Sequence, residues 1–368
     1  MRRHLRLMRC FAMVLGLLAP SQGMAAAAPA YASLKDARAI IAEAQAIPPG
    51  GIDDLRTVEL GGIKQWIHVR GDNPDNPILL FIHGGPGSPM MPESWAWQRS
   101  WEAYFTVVQW DQRGAGKTFA TAGAKPDPTM TIAEMQSDAE QLVVWLRHTY
   151  KKKKIFVMGH SWGSILGLRI AQAHPNWLYA YIGVGQVVNG YENEAIGFQE
   201  TLARAKATGN VQAVKQLQAL EPYPPAHGAP SFAKVIAERK WDVALGGMIY
   251  GKAVDDADAI SMLSPDYTQA DIAAMPAGEI SSAKILVPQI ADVDFTKDTV
   301  FRCPVFIFAG ADDRTTPEVL ARRYFDRITA PEKKFFKIGR AAHYVVSEAP
   351  GEVLVDLVRF VRPLAEKH

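Results

Sequence analysis

The stretch Ile155-Phe-Val-Met-Gly-His-Ser-Trp-Gly-Ser164 decides how this chain folds. Its first four residues are apolar without alternation, as expected of a strand buried on both faces of a sheet. The Gly159-His-Ser-Trp-Gly163 that follows has the G-x-S-x-G spacing of a sharp strand-to-helix turn. A Cβ at Gly159 or Gly163 would collide with neighbouring backbone, and the helix after the turn sets its positive end beneath the Ser161 hydroxyl. Ser161 is therefore a candidate nucleophile at the edge of a sheet.

Working outward, residues 78–82, 106–110 and 179–184 are further apolar, strand-like runs, with helical periodicity over 131–150 and 165–173 between them. Strand and helix thus alternate from about Ile78 to Val184, which implies a mostly parallel sheet with helices on both faces. Before this block, a helix is expected over 33–47 with Ser33 as its N-cap, then a hairpin of 56–60 and 63–69 turned by Gly61-Gly62. After it the alternation breaks. Helical segments near 194–208, 211–220 and 232–244 precede a return of the sheet pattern at 304–309, a helix over 317–328, a strand at 334–338 and a final helix from Glu352. The fold class is α/β with an inserted helical cap: core over 29–185, cap over 186–298, core again over 299–368.

Residues 1–28 differ in character. Four arginines precede the apolar run at 10–19, and an alanine-rich segment with A-x-A character follows, as in an export signal that is cleaved. Ten apolar residues are too few for a bilayer span of about 20. A periplasmic or secreted location is expected. The segment carries four of the 40 basic residues and none of the 38 acidic ones, leaving 36 against 38 in the remainder. No basic footprint for nucleic acid is left, and no membrane span is expected in the mature chain. Cys10 lies in the leader, so Cys303 is left without an internal partner and reads as a buried apolar side chain. No C-x-x-C or H-E-x-x-H spacing occurs, and neither metal nor cofactor is expected.

A serine hydroxyl is a weak nucleophile at neutral pH and needs a base oriented by an acid. The strand at 305–309 ends in Gly310-Ala-Asp-Asp-Arg-Thr-Thr-Pro317, and the strand at 335–338 ends in Gly339-Arg-Ala-Ala-His343. The order Ser161, Asp313, His343 follows, with Asp312 the competing acid, read as a turn residue. His83-Gly-Gly-Pro-Gly87 follows the strand at 78–82 and suits an oxyanion loop. The Trp162 amide would be one donor and the Gly85 amide the other, with Gly84 its neighbouring alternative.

His83-Gly-Gly-Pro-Gly87, Asp111-Gln-Arg-Gly-Ala-Gly116, Gly159-His-Ser-Trp-Gly-Ser164 and the series Gly310, Asp313, Pro317, His343 together resemble the proline iminopeptidase family of α/β-hydrolases. The resemblance covers most of the chain after the leader. It implies an α/β-hydrolase fold and a serine peptidase that releases N-terminal residues from short peptides through an acyl-enzyme. It also implies that Asp111 and Arg113 shape the site wall. Proline-releasing members hold the substrate amine with cap glutamates, one of them after a tryptophan; here Trp241 is followed by Asp242. Glu192, Glu194 and Trp241 are the substrate-binding candidates on the cap. A broader esterase or amidase is the alternative, and a non-catalytic ligand-binding shell is a remote one.

Overall fold

The computed structural model describes residues 33–254 and 256–366, so the leader read over 1–28 lies outside the described residues. The strands are β1 (Ile52–Leu60), β2 (Ile63–Gly71), β3 (Ile78–Ile82), β4 (Thr106–Asp111), β5 (Ile155–His160), β6 (Leu178–Val184), β7 (Val305–Gly310) and β8 (Lys333–Ile338). They form one sheet in the order β1-β2-β4-β3-β5-β6-β7-β8. The hairpin β1–β2 and its junction with β4 are antiparallel, and every pair from β4 to β8 is parallel. The parallel strands other than the edge strand β8 are buried almost throughout, which is why their sequences read largely as apolar runs.

Alternate residues of those runs feed two cores. Leu80, Ile82, Val157 and Ile307 face one layer, while Leu79, Phe81, Phe156, Met158, Phe306 and Phe308 face the other. The first layer is covered by α3 (Ile132–Thr149), α4 (Trp162–Ala173) and α10 (Glu318–Arg327), the second by the C-terminal turns α11 (Val345–Glu348) and α12 (Pro350–Asp356). A short α1 (Leu34–Ala44) precedes the sheet with Ser33 accepting from the Asp36 amide, and α2 (Gly116–Thr121) follows β4.

The cap comprises α5 (Gly190–Ala207), α6 (Val211–Gln218), α7 (Phe232–Ala244), α8 (Ala257–Ser261) and α9 (Gln269–Ile290). Its entry and exit are stitched together, with Asn189 bridging Asp294 and the Phe295 amide donating to the Val188 carbonyl at 2.8 Å. The longest helix, α9, carries Pro276 and Pro288 inside it, and its own sequence did not announce it. A capping box of Thr268 and Asp271 starts it, and its packing on α2 around Gly278 offsets the lost hydrogen bonds. Among the described residues no helix is long and apolar enough to cross a membrane.

One buried ion cluster ties the hairpin to the rest. Arg113 donates to Asp138 at 3.0 Å, to Asp127 at 2.9 Å and to the Gly61 carbonyl at 2.9 Å, and the Asp138 side chain is fully buried. Removing one member of such a cluster strands a charge in low dielectric. Arg113→Ala is expected to lower the unfolding free energy by about 3–5 kcal/mol. Urea denaturation checks this, and a loss well under 1 kcal/mol would contradict it.

Candidate active site

The turn at Ser161 is as tight as its glycines suggested. Ser161 has φ 52 and ψ −120, a left-handed region that a side chain adopts only under constraint. Its amide donates to the Val184 carbonyl at 2.9 Å. A Cβ on Gly163 would lie 2.1 Å from the Ile82 carbonyl oxygen, so the helix can begin this close to β3 only with glycine there. The strain is thus held by packing on both sides, and Ser161 is presented above the sheet at the N-terminus of α4.

Asp313 and His343 meet on the loops after β7 and β8, with His343 Nδ1 3.0 Å from Asp313 Oδ2. Asp313 also accepts the Thr315 and Thr316 amides on Oδ1 at 2.9 and 2.8 Å, and the Thr316 hydroxyl on Oδ2 at 2.7 Å. Burial alone would raise its pKa; the His343 charge and these hydrogen bonds overcome that and hold the carboxyl below its usual range. Asp312 lies on the turn, half-buried, with its amide donating to the Ala341 carbonyl. The His343 loop is pinned in turn. Its amide donates to the Met248 carbonyl at 3.1 Å, and its carbonyl accepts from His160 Nε2 at 3.0 Å. Burial, aided by the His343 charge, pushes His160 down to about 3, so that ring stays neutral and acts as a spacer.

The loop at 83–87 is held against the elbow by a chain of hydrogen bonds. Trp162 Nε1 donates to Gln112 Oε1 at 2.9 Å, Gln112 Nε2 donates to the His83 carbonyl at 3.0 Å, and His83 Nδ1 donates to the Gly84 carbonyl at 2.8 Å. Burial holds His83 down at about 4, consistent with a neutral ring whose Nε2 accepts the Gln112 amide. Gly84 abuts His160 and Ser161 so closely that a Cβ would lie 3.1 Å from the Ser161 Cβ. Gly85, with φ +108, is the one that opens onto the cleft.

That cleft encloses about 840 Å³, open mouth included, between core and cap. Gly85, Ser161 and Trp162 form its floor, Thr315 and Thr316 one side, and Val187, Phe232, Val235, Ala283 and Val287 an apolar wall. Its polar groups from the cap are Asn193, Glu194, Arg239 and Glu279. Of the three cap candidates, Glu194 alone borders it. Glu192 points to solvent and pairs with Arg323 at 3.0 Å, because it lies one turn-face away at the start of α5. Trp241 is packed among Phe198, Leu202 and Tyr223 and donates to Gln216 at 3.1 Å, so it stabilises the cap and does not face substrate. Glu194 is not a bare carboxylate either, since Arg239 and the Tyr223 hydroxyl both donate to it. Arg239 also pairs with fully buried Glu238, whose pKa burial pushes up to about 7 against the pull of that guanidinium.

Sequence reasoning missed Thr316 and Glu279. Thr316 sits three residues after the acid, where a hydroxyl reaches back as in any turn. Glu279, whose carboxylate accepts from the Ser88 hydroxyl beside the loop at 83–87, is the lone acid between Asp271 and Asp292 on a helix rich in small and apolar residues. That isolation was its signal.

The α/β-hydrolase fold family model matches residues 77–350, three quarters of the chain. The chain belongs to the α/β-hydrolase family. It is an enzyme of the hydrolase class, and its relatives include aminopeptidases by name. It is 29% identical over 314 residues, 84% of this chain and 96% of the relative, to a protein of Bacillus subtilis named probable aminopeptidase YbaC. Over 107 residues, 28% of this chain and 31% of the relative, it is 40% identical to a probable proline iminopeptidase of Streptomyces coelicolor. Among solved structures, the proline iminopeptidase of Mycobacterium smegmatis superposes with a TM-score of 0.56 at 18% identity, covering 85% of this chain and 99% of that one. VinJ gives 0.60 at 18% identity, covering 84% and 99%. At these identities the superpositions speak for the fold alone.

Asp111, at the end of β4, does not border the cleft but is fully buried behind it. It accepts the Lys117 amide at 2.6 Å and the Tyr267 hydroxyl on Oδ2, while Oδ1 is buried without a hydrogen-bond partner. Burial raises its pKa to about 7 despite those donors. A folded-state pKa above the unfolded value means that its contribution is present at low pH and is lost as pH rises from about 4 through about 7. Asp111→Asn keeps the acceptor and removes the charge. The variant is expected to gain about 1–3 kcal/mol over the parent between pH 5 and pH 8. Denaturation at both pH values tests it, and a pH-independent difference would refute it.

Proposed function

We propose that the protein is a serine hydrolase acting through an acyl-enzyme, with an aminopeptidase preference for short peptides bearing a free amino terminus. The observation that carries this reading is the placement of Ser161, in its constrained left-handed turn, on the floor of a cleft whose side is formed by the loop that holds the Asp313–His343 pair. In the proposed reaction Ser161 Oγ attacks the scissile carbonyl carbon and His343 Nε2 takes its proton. Asp313 holds the other ring nitrogen and stabilises the imidazolium. The oxyanion is received by the Trp162 and Gly85 amides, at the positive end of α4. His343 then protonates the departing amine. A water, deprotonated by the same ring, attacks the acyl carbon and frees Ser161.

The amino-terminal preference rests on the cleft's carboxylates. Glu279, which accepts from the Ser88 hydroxyl and packs against Gly87, and Glu194 both border the cleft, and a substrate ammonium near either replaces its lost hydration by a charge-assisted bond. The names of the relatives support the same preference. A second reading, a broader esterase or amidase, is favoured by the neutralisation of Glu194 by Arg239 and by the apolar wall. The leader supports action after export, which the N-terminal sequence of protein recovered outside the cytoplasm would check.

A fluorophosphonate probe should label the parent and leave Ser161→Ala unlabelled; equal labelling would remove the enzyme reading. Prolyl and other aminoacyl anilides are expected to be cleaved in preference to N-blocked analogues and short esters. Glu279→Gln should raise KM for the free-amine anilides by about tenfold, the worth of one charge-assisted contact, while leaving N-blocked esters unchanged. A preference for blocked substrates in the parent would favour the esterase reading.

A further inference from the structure

The cap does more than wall the cleft: one short segment of it holds both loops that carry the acid and the base. At the end of α7, the fully buried Asp242 accepts Arg314 Nε on Oδ1 at 3.1 Å and the Thr315 hydroxyl on Oδ2 at 2.9 Å. These are the two residues directly after Asp313, and the Thr315 amide donates to Asp313 itself. The turn after α7 then wraps around the pair. Arg314 donates a second bond to the Leu245 carbonyl at 2.8 Å, and a Cβ on Gly247 would lie 1.7 Å from Asp242 Oδ1. One residue after Gly247, the Met248 carbonyl accepts the His343 amide at 3.1 Å and the Tyr344 amide at 3.3 Å. The Tyr250 amide donates to Glu348 at 2.6 Å, and the other oxygen of Glu348 accepts the Ala342 amide at 3.0 Å.

We propose that Asp242 is a positioning residue for the catalytic pair, holding Arg314 away from Asp313 so that His343 keeps that carboxylate to itself. Arg314 is a permanent cation, nearly buried, with its backbone adjoining that of Asp313. Its charge needs a carboxylate: Asp242 supplies it, Asp313 adjoins it in the chain, and half-buried Glu200 also feels the Arg314 charge. A buried guanidinium deprived of Asp242 turns to Asp313, because leaving it unpaired in low dielectric costs several kcal/mol. Asp313 would then be shared between Arg314 and His343, and the imidazole would lose the acceptor that fixes its tautomer and orientation. The hydrogen bond from Thr315 to Asp242 sets the same loop from its other side. Asp242 belongs to the cap and Asp313 to the core, so the cap completes the geometry of the pair as well as covering it.

The proposal rests on the reading of Ser161, Asp313 and His343 as the catalytic set, so Ser161→Ala is run alongside. Turnover surviving in Ser161→Ala would strike down that underlying reading, whatever Asp242 does. Kinetics on the best anilide or ester of the parent are compared for Asp242→Asn, Asp242→Asn with Arg314→Met, and Thr315→Val, with circular dichroism and melting confirming the fold. Asp242→Asn is expected to lower kcat about ten- to hundredfold, the cost of misplacing a catalytic group, with KM changed less than about threefold. Removing Arg314 as well should restore kcat at least about fivefold, because the competitor is gone; a purely structural role for Asp242 predicts a further loss. Should Asp242→Asn fail to fold, Thr315→Val, close in shape to the parent side chain, is expected to lower kcat several-fold at constant KM. An unchanged kcat in the single variants, or no recovery in the double variant, would overturn the proposal.

Discussion

The structure is organised around the left-handed turn at Ser161. Such a backbone costs on the order of 1–3 kcal/mol and persists only where its surroundings leave no alternative. Here β5 fixes the residue before it, the Val184 carbonyl takes its amide, and α4 starts against the end of β3 through Gly163. Everything else at the site is registered against that point. The loop at 83–87 lies where it does because Gly84 packs on Ser161 itself and because Trp162, one residue on, reaches it through Gln112 and His83. The sheet therefore supplies a rigid frame in which the hydroxyl, both candidate oxyanion amides and the two loops after β7 and β8 occupy one edge.

Charge inside the cleft is managed by pairing. Arg239 is held between Glu194 and Glu238, Arg314 is held by Asp242, and Asp313 is satisfied by His343 and by the turn that follows it. Arg239 and both its carboxylates belong to the cap, whereas the Arg314–Asp242 pair joins the core to the cap. This arrangement accounts for a cap that is stitched to the core at its base and also clasped at the far end of α7, where Met248 carries the His343 amide. A cap held at both places is a part of the frame around the cleft.

Much of this was legible in the amino-acid order. The inner parallel strands announced themselves largely as apolar runs, because burial on both faces removes any polar alternation. Ser33 marks the start of α1 by local capping, accepting the Asp36 amide. Asp313 and His343 stood out because each follows a strand, and the structure sets them 3.0 Å apart; spacing alone separated Asp313 from Asp312. Helix α9 was not legible, since Pro276 and Pro288 oppose it locally and only its packing against α2 permits it. On the cap, Glu192 and Trp241 looked equivalent to Glu194, because helical spacing tells which residues share a face and leaves open what that face meets.

The sequence by itself therefore determined the elements of the sheet, the turn at Ser161 and the placement of Asp313 and His343 after strand ends, since these depend on short-range sterics and on strand ends a few residues away. Tertiary structure decided which cap groups border the cleft, and how Glu194, Arg239, Asp242 and Arg314 divide their charges. Those partners lie tens of residues apart in the chain. Their pairing is fixed by the low dielectric they share after burial, a condition that exists only once the cap has closed on the core.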